Sequence, residues 1–372
     1  MGFAPVATVL CASIALGQDF LDGGNDSRYV QPYLSPCVLV STNREPADGT
    51  LVRMPSPAFM RSAQQPTETW QESISPGPGF FLGDLAADCD DCPKRGVVIF
   101  ASYDSWQGVS DGGWHNTGIS SGMNFGTRLG RFSDLTGIGF QIGGSAAAYD
   151  WTGTDYRLVH QNQAEPQGFI TYGLFRKTTE SSRWNAALVQ DWMLNANFGV
   201  FAQNPTLSQW RGQLGYATSA WNEFGMWGAW RAHGDTRDVN SFGPISWRSV
   251  NQISAFWHHK WGPGGPDSSV WVGLPEHDRL SGQGSLGDYL VGISGNFPLT
   301  DRLAVYTLVT YMHPSAAAGP AGFDDDTWNF SIGISVYPGR NARWKTVAGQ
   351  CWMPALPVAN NGYFMVDTNK TF

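Results

Sequence analysis

The sequence predicts an all-β protein: an antiparallel transmembrane β-barrel of about twelve strands, with an irregular N-terminal segment and an extended C-terminal tail. Three observations lead to this prediction. From Gly96 onward, large apolar residues alternate with small or polar residues. Most of these runs are about ten residues long, the length that a tilted strand needs to cross a bilayer. The connections between the runs alternate between short and long.

The alternation is clearest in Trp328–Tyr337, where every even-numbered residue is large and apolar. Successive side chains of a strand point to opposite faces, so such a run has one apolar and one polar face. The predicted strands lie near residues 97–106, 119–130, 137–149, 168–177, 184–194, 207–218, 223–233, 246–260, 269–274, 287–297, 302–312 and 327–337.

The connections predict which end of the barrel faces which compartment. The short ones lie near residues 131–136, 178–183, 219–222, 261–268 and 298–301. The long ones lie near residues 107–118, 150–167, 195–206, 234–245, 275–286 and 313–326. Outer-membrane barrels have short periplasmic turns and long outer loops. Because the number of strands is even, the first strand begins and the last strand ends on the same side of the barrel, which is the predicted periplasmic side.

The polar residues favour a membrane barrel over a soluble β-sandwich, which shows the same alternation. Between residues 96 and 338 there are only two lysines, Lys177 and Lys260, and four glutamates, none of them in the middle of a predicted strand. The polar faces carry Gly, Ser, Asn, Gln and a few Arg instead. Small uncharged residues fit a confined lumen better than a surface in open water.

The segments outside the barrel suggest export. Phe3–Gly17 is apolar and ends in the small-x-small site Ala15-Leu16-Gly17, which predicts a signal peptide over residues 1–17. Residues 18–95 are rich in Pro and Gly and are interpreted as a periplasmic segment. Residues 96–338 form the predicted barrel, and residues 339–372 a tail or plug.

Four cysteines remain after the predicted cleavage. Cys37, Cys89, Cys92 and Cys351 all lie outside the predicted barrel. Export makes disulfides the leading interpretation, with the pairing left open. The sequence Cys89-Asp90-Asp91-Cys92 is a CxxC motif, but the βαβ context of a redox site and the further ligands of a zinc site are missing.

Charge and motifs exclude several classes of function. A net charge of −8 without a basic cluster argues against nucleic-acid binding. The sequence contains no GxSxG elbow, no HExxH motif and no phosphate loop. We therefore predict no enzyme activity, no cofactor and no metal site.

Two stretches resemble an uncharacterised family of exported planctomycete proteins: Gly126–Phe132 with Tyr149–Tyr156, and Trp352–Asn361. The turn Phe297–Leu303 also looks like the tight periplasmic turn of outer-membrane barrels. The resemblance implies a barrel of unknown function and transfers no catalytic residue. Barrels of this class usually end at their last strand, whereas here a tail follows Tyr337.

The leading functional prediction is a porin-like barrel in the outer membrane that passes small polar solutes with weak selectivity. Its expected partners are outer-membrane lipid and the barrel-insertion machinery, and the oligomeric state is left open. An occluded barrel with a structural or surface-binding role and a secreted carbohydrate-binding β-sandwich are the alternatives. The residues expected to line the lumen are Arg128, Gln141, Asp191, Arg211, Gln213, Arg231, His233 and Asp288.

Overall fold

The computed structural model describes residues 95–111, 114–150, 164–178, 182–239, 242–280, 286–313, 326–339, 342–343 and 352–370. The predicted signal peptide and nearly all of the Pro/Gly-rich segment fall outside these residues. So do the disulfide candidates Cys37, Cys89, Cys92 and Cys351.

Twelve strands form one closed antiparallel barrel in the described part of the chain. They are β1 (Arg95–Gln107), β2 (Asn116–Arg128), β3 (Ile138–Tyr149), β4 (Glu165–Arg176), β5 (Trp184–Asn195), β6 (Thr206–Ala217), β7 (Asn222–His233), β10 (Gln252–Lys260), β11 (Asp267–Pro275), β12 (Tyr289–Pro298), β13 (Leu303–His313) and β14 (Thr327–Val336). The ring closes between β1 and β14, in a register that runs from Ile99 opposite Val336 to Gln107 opposite Trp328. The predicted fold class is confirmed. The β-sandwich alternative is wrong, because the sheet closes on itself.

A small second sheet lies in the connection between β7 and β10. It consists of β8 (Asp235–Val239), β9 (Gly243–Ser249) and β15 (Val366–Thr368), in the order β15-β9-β8. The predicted strand 246–260 is therefore wrong as a single strand. Its break is at Asn251, whose side-chain oxygen accepts a 2.6 Å hydrogen bond from the backbone N–H of Arg231 and so replaces a ladder bond at the barrel rim.

The outer surface of the barrel is apolar. Met123, Leu214 and Val272 are 58%, 51% and 58% exposed, and inward neighbours such as Asn124 are buried. Outward and inward residues alternate along each strand, as the period of two requires. No helix in the described residues is long and apolar enough to cross a membrane.

The two ends of the barrel differ. The short-turn end holds the start of β1 and the end of β14. Its turn between β2 and β3 contains a short helix, α1 (Arg131–Thr136), which ends where Gly137 takes a left-handed conformation with φ of 71°. The long-loop end carries the small sheet.

Candidate functional site

The barrel wall presents a row of buried polar side chains to the lumen. Asp191 on β5 and Arg211 on β6 form an ion pair with 3.0 Å between Asp191 Oδ2 and Arg211 Nε, and both residues are at most 1% exposed. Thr171 donates a 2.7 Å hydrogen bond to the same carboxylate, and Gln209 donates one of 3.2 Å. Arg211, Thr171 and Gln209 thus all donate to the one buried carboxylate, and such additional hydrogen bonds help a buried ion pair to be tolerated. This row is therefore a fixed part of the wall.

Residues 352–368, called the lumen segment below, run through the barrel. At the short-turn end, the Trp352 ring packs against Phe175 with centroids 6.1 Å apart, and the Lys177 ammonium lies 4.3 Å from the Trp352 centroid. At the point where the segment enters, the wall residue Gly126 has no side chain between the two backbones. A Cβ on Gly126 would lie 2.7 Å from the nitrogen of Pro354, so only glycine allows this close approach.

Two wall amides hold the middle of the lumen segment. The Gln141 side-chain oxygen accepts hydrogen bonds from the backbone N–H groups of Ala355 (2.9 Å) and Leu356 (3.1 Å). Gln141 Nε2 and Asn124 Nδ2 both donate to the carbonyl oxygen of Leu356, at 3.0 Å and 2.9 Å. An irregular backbone inside a barrel needs such partners, because its polar groups have no strand ladder.

The Arg211 side chain of the ion pair also contacts the lumen segment directly. Arg211 Nη2 donates a 2.7 Å hydrogen bond to the carbonyl of Pro357, and the guanidinium lies 4.8 Å from the ring centroid of Tyr363. The backbone N–H of Ala359 donates to Thr171 Oγ1 at 3.0 Å. The wall charges therefore position the segment at two points along its length.

An aromatic group closes the lumen above these contacts. The Tyr363 ring stacks on Trp271 with centroids 6.2 Å apart, and it meets Trp227 edge-on at 6.0 Å. Met365 continues this packing as part of a buried apolar cluster with Leu290 and other residues of the long-loop half. These apolar side chains therefore occupy much of the long-loop half of the lumen.

The lumen segment ends in the small sheet at the long-loop end. Val366 pairs with Ser249, so β15 adds a strand to β9. The fully buried Asp367 accepts hydrogen bonds from Arg248 Nε (3.0 Å) and from the backbone N–H of Leu280 (2.8 Å). Burial raises the pKa of Asp367, although both donors oppose this shift. The segment is therefore tied to the wall from one end of the barrel to the other.

A cavity of about 360 Å³, called the vestibule below, remains beside the lumen segment. The segment itself forms one side of it. The other side is formed by inward residues of strands all around the ring, among them Phe256 and Tyr306. The vestibule extends from Lys177 near the short turns to Trp227 and Trp271, where the aromatic group begins.

Four of the eight residues predicted to line the lumen lie at its wall. Asp191 and Arg211 form the buried ion pair, and Gln141 and Arg211 bond the lumen segment. Gln213 lines the vestibule. Their pointing inward follows from the strand period alone.

The other four predicted lumen residues lie near the barrel ends. Arg128 forms a partly exposed ion pair with Asp134 of α1, at 3.1 Å. Arg231 pairs with Glu276 at 2.6 Å near the long-loop end. The Asp288 side chain is 53% exposed.

His233 lies on the outer surface instead of the lumen. Its ring is 6.5 Å from that of Trp192, whose strand neighbours Leu188 and Leu194 are exposed. The reason is a bulge: Ser208 pairs with His233 but Gln209 pairs with Arg231, which shifts the alternation by one residue.

A group at the short-turn end of the vestibule was not predicted. Glu223, His258 and Asp267 line the vestibule from neighbouring strands β7, β10 and β11. From the sequence, Glu223 stands only as one of four glutamates outside the middle of the predicted strands. The alternation of side chains along a strand could have predicted the inward position of Glu223 and His258. Glu223 lies on the same strand face as Trp227, and His258 on the same face as Phe256.

A family model described as a family of unknown function (DUF6666) matches residues 97–366. A search of curated proteins gives no match.

Solved structures with a similar shape are outer-membrane barrels. An outer-membrane channel from Pseudomonas putida F1 is 8% identical, with a TM-score of 0.44, and the match covers 66% of this chain and 96% of that one. The NanC porin is 10% identical, with a TM-score of 0.37 and coverage of 64% and 98%. Outer-membrane phospholipase A from Escherichia coli is 8% identical, with a TM-score of 0.35 and coverage of 66% and 97%. These scores are low, and the barrel fold rests on the chain's own strand pairing.

Proposed function

We propose that this chain, which belongs to the DUF6666 family of unknown function, is a porin-like barrel of the outer membrane whose own lumen segment controls the passage of small polar solutes. The observation that carries the proposal is the course of residues 352–368, which cross the lumen from the short-turn end to the long-loop end while bonded to wall side chains.

The outer surface supports a membrane location. Large apolar side chains are exposed around the ring, among them Ile99, Leu174 and Ile334 at 43%, 51% and 49%. Contiguous apolar surface of this kind is unfavourable in water and suits hydrocarbon. A closed ring also leaves no strand edge unpaired, which is a condition for crossing a bilayer. Outer-membrane lipid is then the partner of this surface, with the short turns on the periplasmic side.

The interior supports passage of polar solutes. The vestibule wall carries Ser102, Ser120, Ser269, Ser294 and Thr307, whose hydroxyls can replace water contacts of a dissolved solute. The lumen segment blocks the remaining path. We propose that solutes pass when the segment shifts away from Gln141 and Arg211, because these side chains supply most of its wall contacts in the middle of the lumen.

The second candidate is the occluded barrel with a structural or surface-binding role. The buried apolar cluster around Met365 and Leu290 favours it, because a filled lumen conducts nothing. The two candidates differ in a single measurable property, the conductance of the folded barrel.

The test uses the full-length protein. The first step is heat-modifiability in an isolated outer-membrane fraction, where a folded barrel changes its gel mobility on boiling. The second step is single-channel recording in planar bilayers for the wild type and for the double variant N124A/Q141A, which removes the hydrogen bonds to Ala355 and Leu356. We expect brief, small openings in the wild type and longer openings in the variant. A folded, inserted variant that stays closed would favour the occluded barrel.

Other sequence predictions stay predictions. These are the signal peptide, the disulfides, the role of the insertion machinery and the absence of enzyme activity, since a fold alone does not decide activity.

A further inference from the structure

Two carboxylates flank one histidine at the mouth of the vestibule. His258 Nδ1 lies 3.7 Å from Glu223 Oε2, and His258 Nε2 lies 3.6 Å from Asp267 Oδ1. Asp267 also accepts a 3.2 Å hydrogen bond from Asn296. The group therefore brings two negative charges and one histidine to the same level of the lumen.

Glu223 is 3% exposed, and its Oε1 atom has no hydrogen-bond donor among the described residues. This oxygen lies over Gly215. A Cβ on Gly215 would collide with Glu223 Oε1 and would lie 2.8 Å from Asn185 Oδ1, so two oxygens converge over the same glycine. A buried carboxylate oxygen without a donor is unfavourable. A ligand that brings a donor and a positive charge would relieve this.

His258 lies between the two carboxylates, on the side of Glu223 Oε2, and the cations around this group have contacts of their own. Lys177 lies over Trp352. Arg176 Nε donates a 3.2 Å hydrogen bond to the carbonyl of Thr136. Lys260 Nζ donates one of 3.3 Å to the carbonyl of Arg343. None of these three bonds reaches the Glu223 carboxylate.

Aromatic side chains line the vestibule directly above the carboxylates. Phe256 shares the inward face of β10 with His258, and Trp227 shares the inward face of β7 with Glu223. Aromatic faces attract organic cations and pack well against hydrocarbon. The cavity volume of about 360 Å³ is in the range of small-ligand sites.

We infer that the vestibule binds a small organic ammonium compound. Its charged nitrogen lies over Gly215, against Glu223 Oε1 and Asn185 Oδ1, and its hydrocarbon part lies against Phe256 and Trp227. This inference deepens the proposed function, on which it rests, by naming the class of solute that enters from the short-turn end.

The test is calorimetric titration of the full-length, detergent-folded protein with phenethylammonium, and with the neutral 2-phenylethanol as the matched ligand. We expect the ammonium compound to bind at least about tenfold more tightly than the alcohol, because a charged hydrogen bond is lost with the alcohol. The variant E223Q should weaken ammonium binding by about tenfold. The variant D134N removes an exposed carboxylate of α1 at the same end, outside the vestibule, and should bind as the wild type does.

Equal affinity for the two ligands, or unchanged binding in E223Q, would overturn the inference. If E223Q does not fold, as judged by heat-modifiability, N185A replaces it, because it removes the second oxygen over Gly215 and should also weaken ammonium binding. Single-channel recording separates this inference from the proposed function. Ammonium binding without any conductance would remove passage and leave the site, whereas conductance without ammonium binding would remove the site and leave passage.

Discussion

The guanidinium of Arg211, on the barrel wall, lies 4.8 Å from the ring centroid of Tyr363, on the lumen segment. The same side chain is paired with Asp191 in the wall and bonded to the carbonyl of Pro357 in the segment. One buried charge therefore joins the two parts of the protein, and its removal affects both.

We predict that R211M strongly destabilises the folded barrel. The substitution leaves the Asp191 carboxylate buried without its partner, which costs about 3–5 kcal/mol of unfolding free energy. Urea unfolding in detergent measures the loss. The matched control is R128M, which breaks an ion pair whose side chains are 32% and 54% exposed and should change stability by less than about 1 kcal/mol. Equal effects of the two variants would contradict the role given to Arg211.

We predict that Q141A loosens the lumen segment without unfolding the barrel. The variant loses three hydrogen bonds to Ala355 and Leu356, each worth about 0.5–1.5 kcal/mol. Hydrogen exchange should then show reduced protection of these two amides and unchanged protection of the strands. The control is Q190A, since Gln190 lies on the outer face and bonds Tyr172. Reduced protection in Q190A as well would mean that the effect is not specific.

We predict that G362V displaces the upper part of the lumen segment. A Cβ on Gly362 would lie 2.7 Å from Asn329 Oδ1 and 3.1 Å from both Leu308 Cδ2 and Thr310 Oγ1, so there is no space for a branched side chain. Single-channel recording should show more frequent openings than in the wild type. G108A is the control, because its new Cβ would make only ordinary contacts at 3.5 Å or more. A G362V protein that inserts but conducts like the wild type would contradict this prediction.

We predict that docking of β15 on β9 weakens as the pH rises. Burial raises the folded-state pKa of Asp367 above the ordinary value of 3.8. The group therefore stabilises the docked state fully below that ordinary value, and this contribution is lost as the pH rises through the raised pKa. The strength of docking at each pH is measured by the hydrogen-exchange protection factors of the Val366 and Thr368 amides, corrected for intrinsic exchange. The variant D367N should remove this pH dependence, and a dependence that persists in D367N would contradict the assignment.

Much of the barrel was predictable because its determinants are local. The apolar alternation of runs such as Trp328–Tyr337 marks strands, and each predicted strand overlaps a strand of the ring. The break at Asn251 was missed because it depends on a hydrogen bond to Arg231, a residue 20 positions earlier. The position of His233 was missed because a bulge is set by pairing between strands and leaves no mark in the period of one strand.

The candidate site was only partly predictable for the same reason. Gln141, Asp191, Arg211 and Gln213 follow from parity. The lumen segment does not, because its backbone is held by side chains more than a hundred residues away, such as Asn124, and it has no period of its own. The convergence of Glu223 and Asp267 on His258 also requires the strand order around the ring.

The lumen segment passes once through a closed ring of strands. The time at which the ring closes therefore restricts how the segment can enter it. A ring that is already closed between β1 and β14 has no gap through which a chain can enter sideways. The segment must then be drawn in lengthwise, or the seam must close around it. If a covalent link joined β1 to β14 before the segment was in place, lengthwise entry would be the one route left of these two.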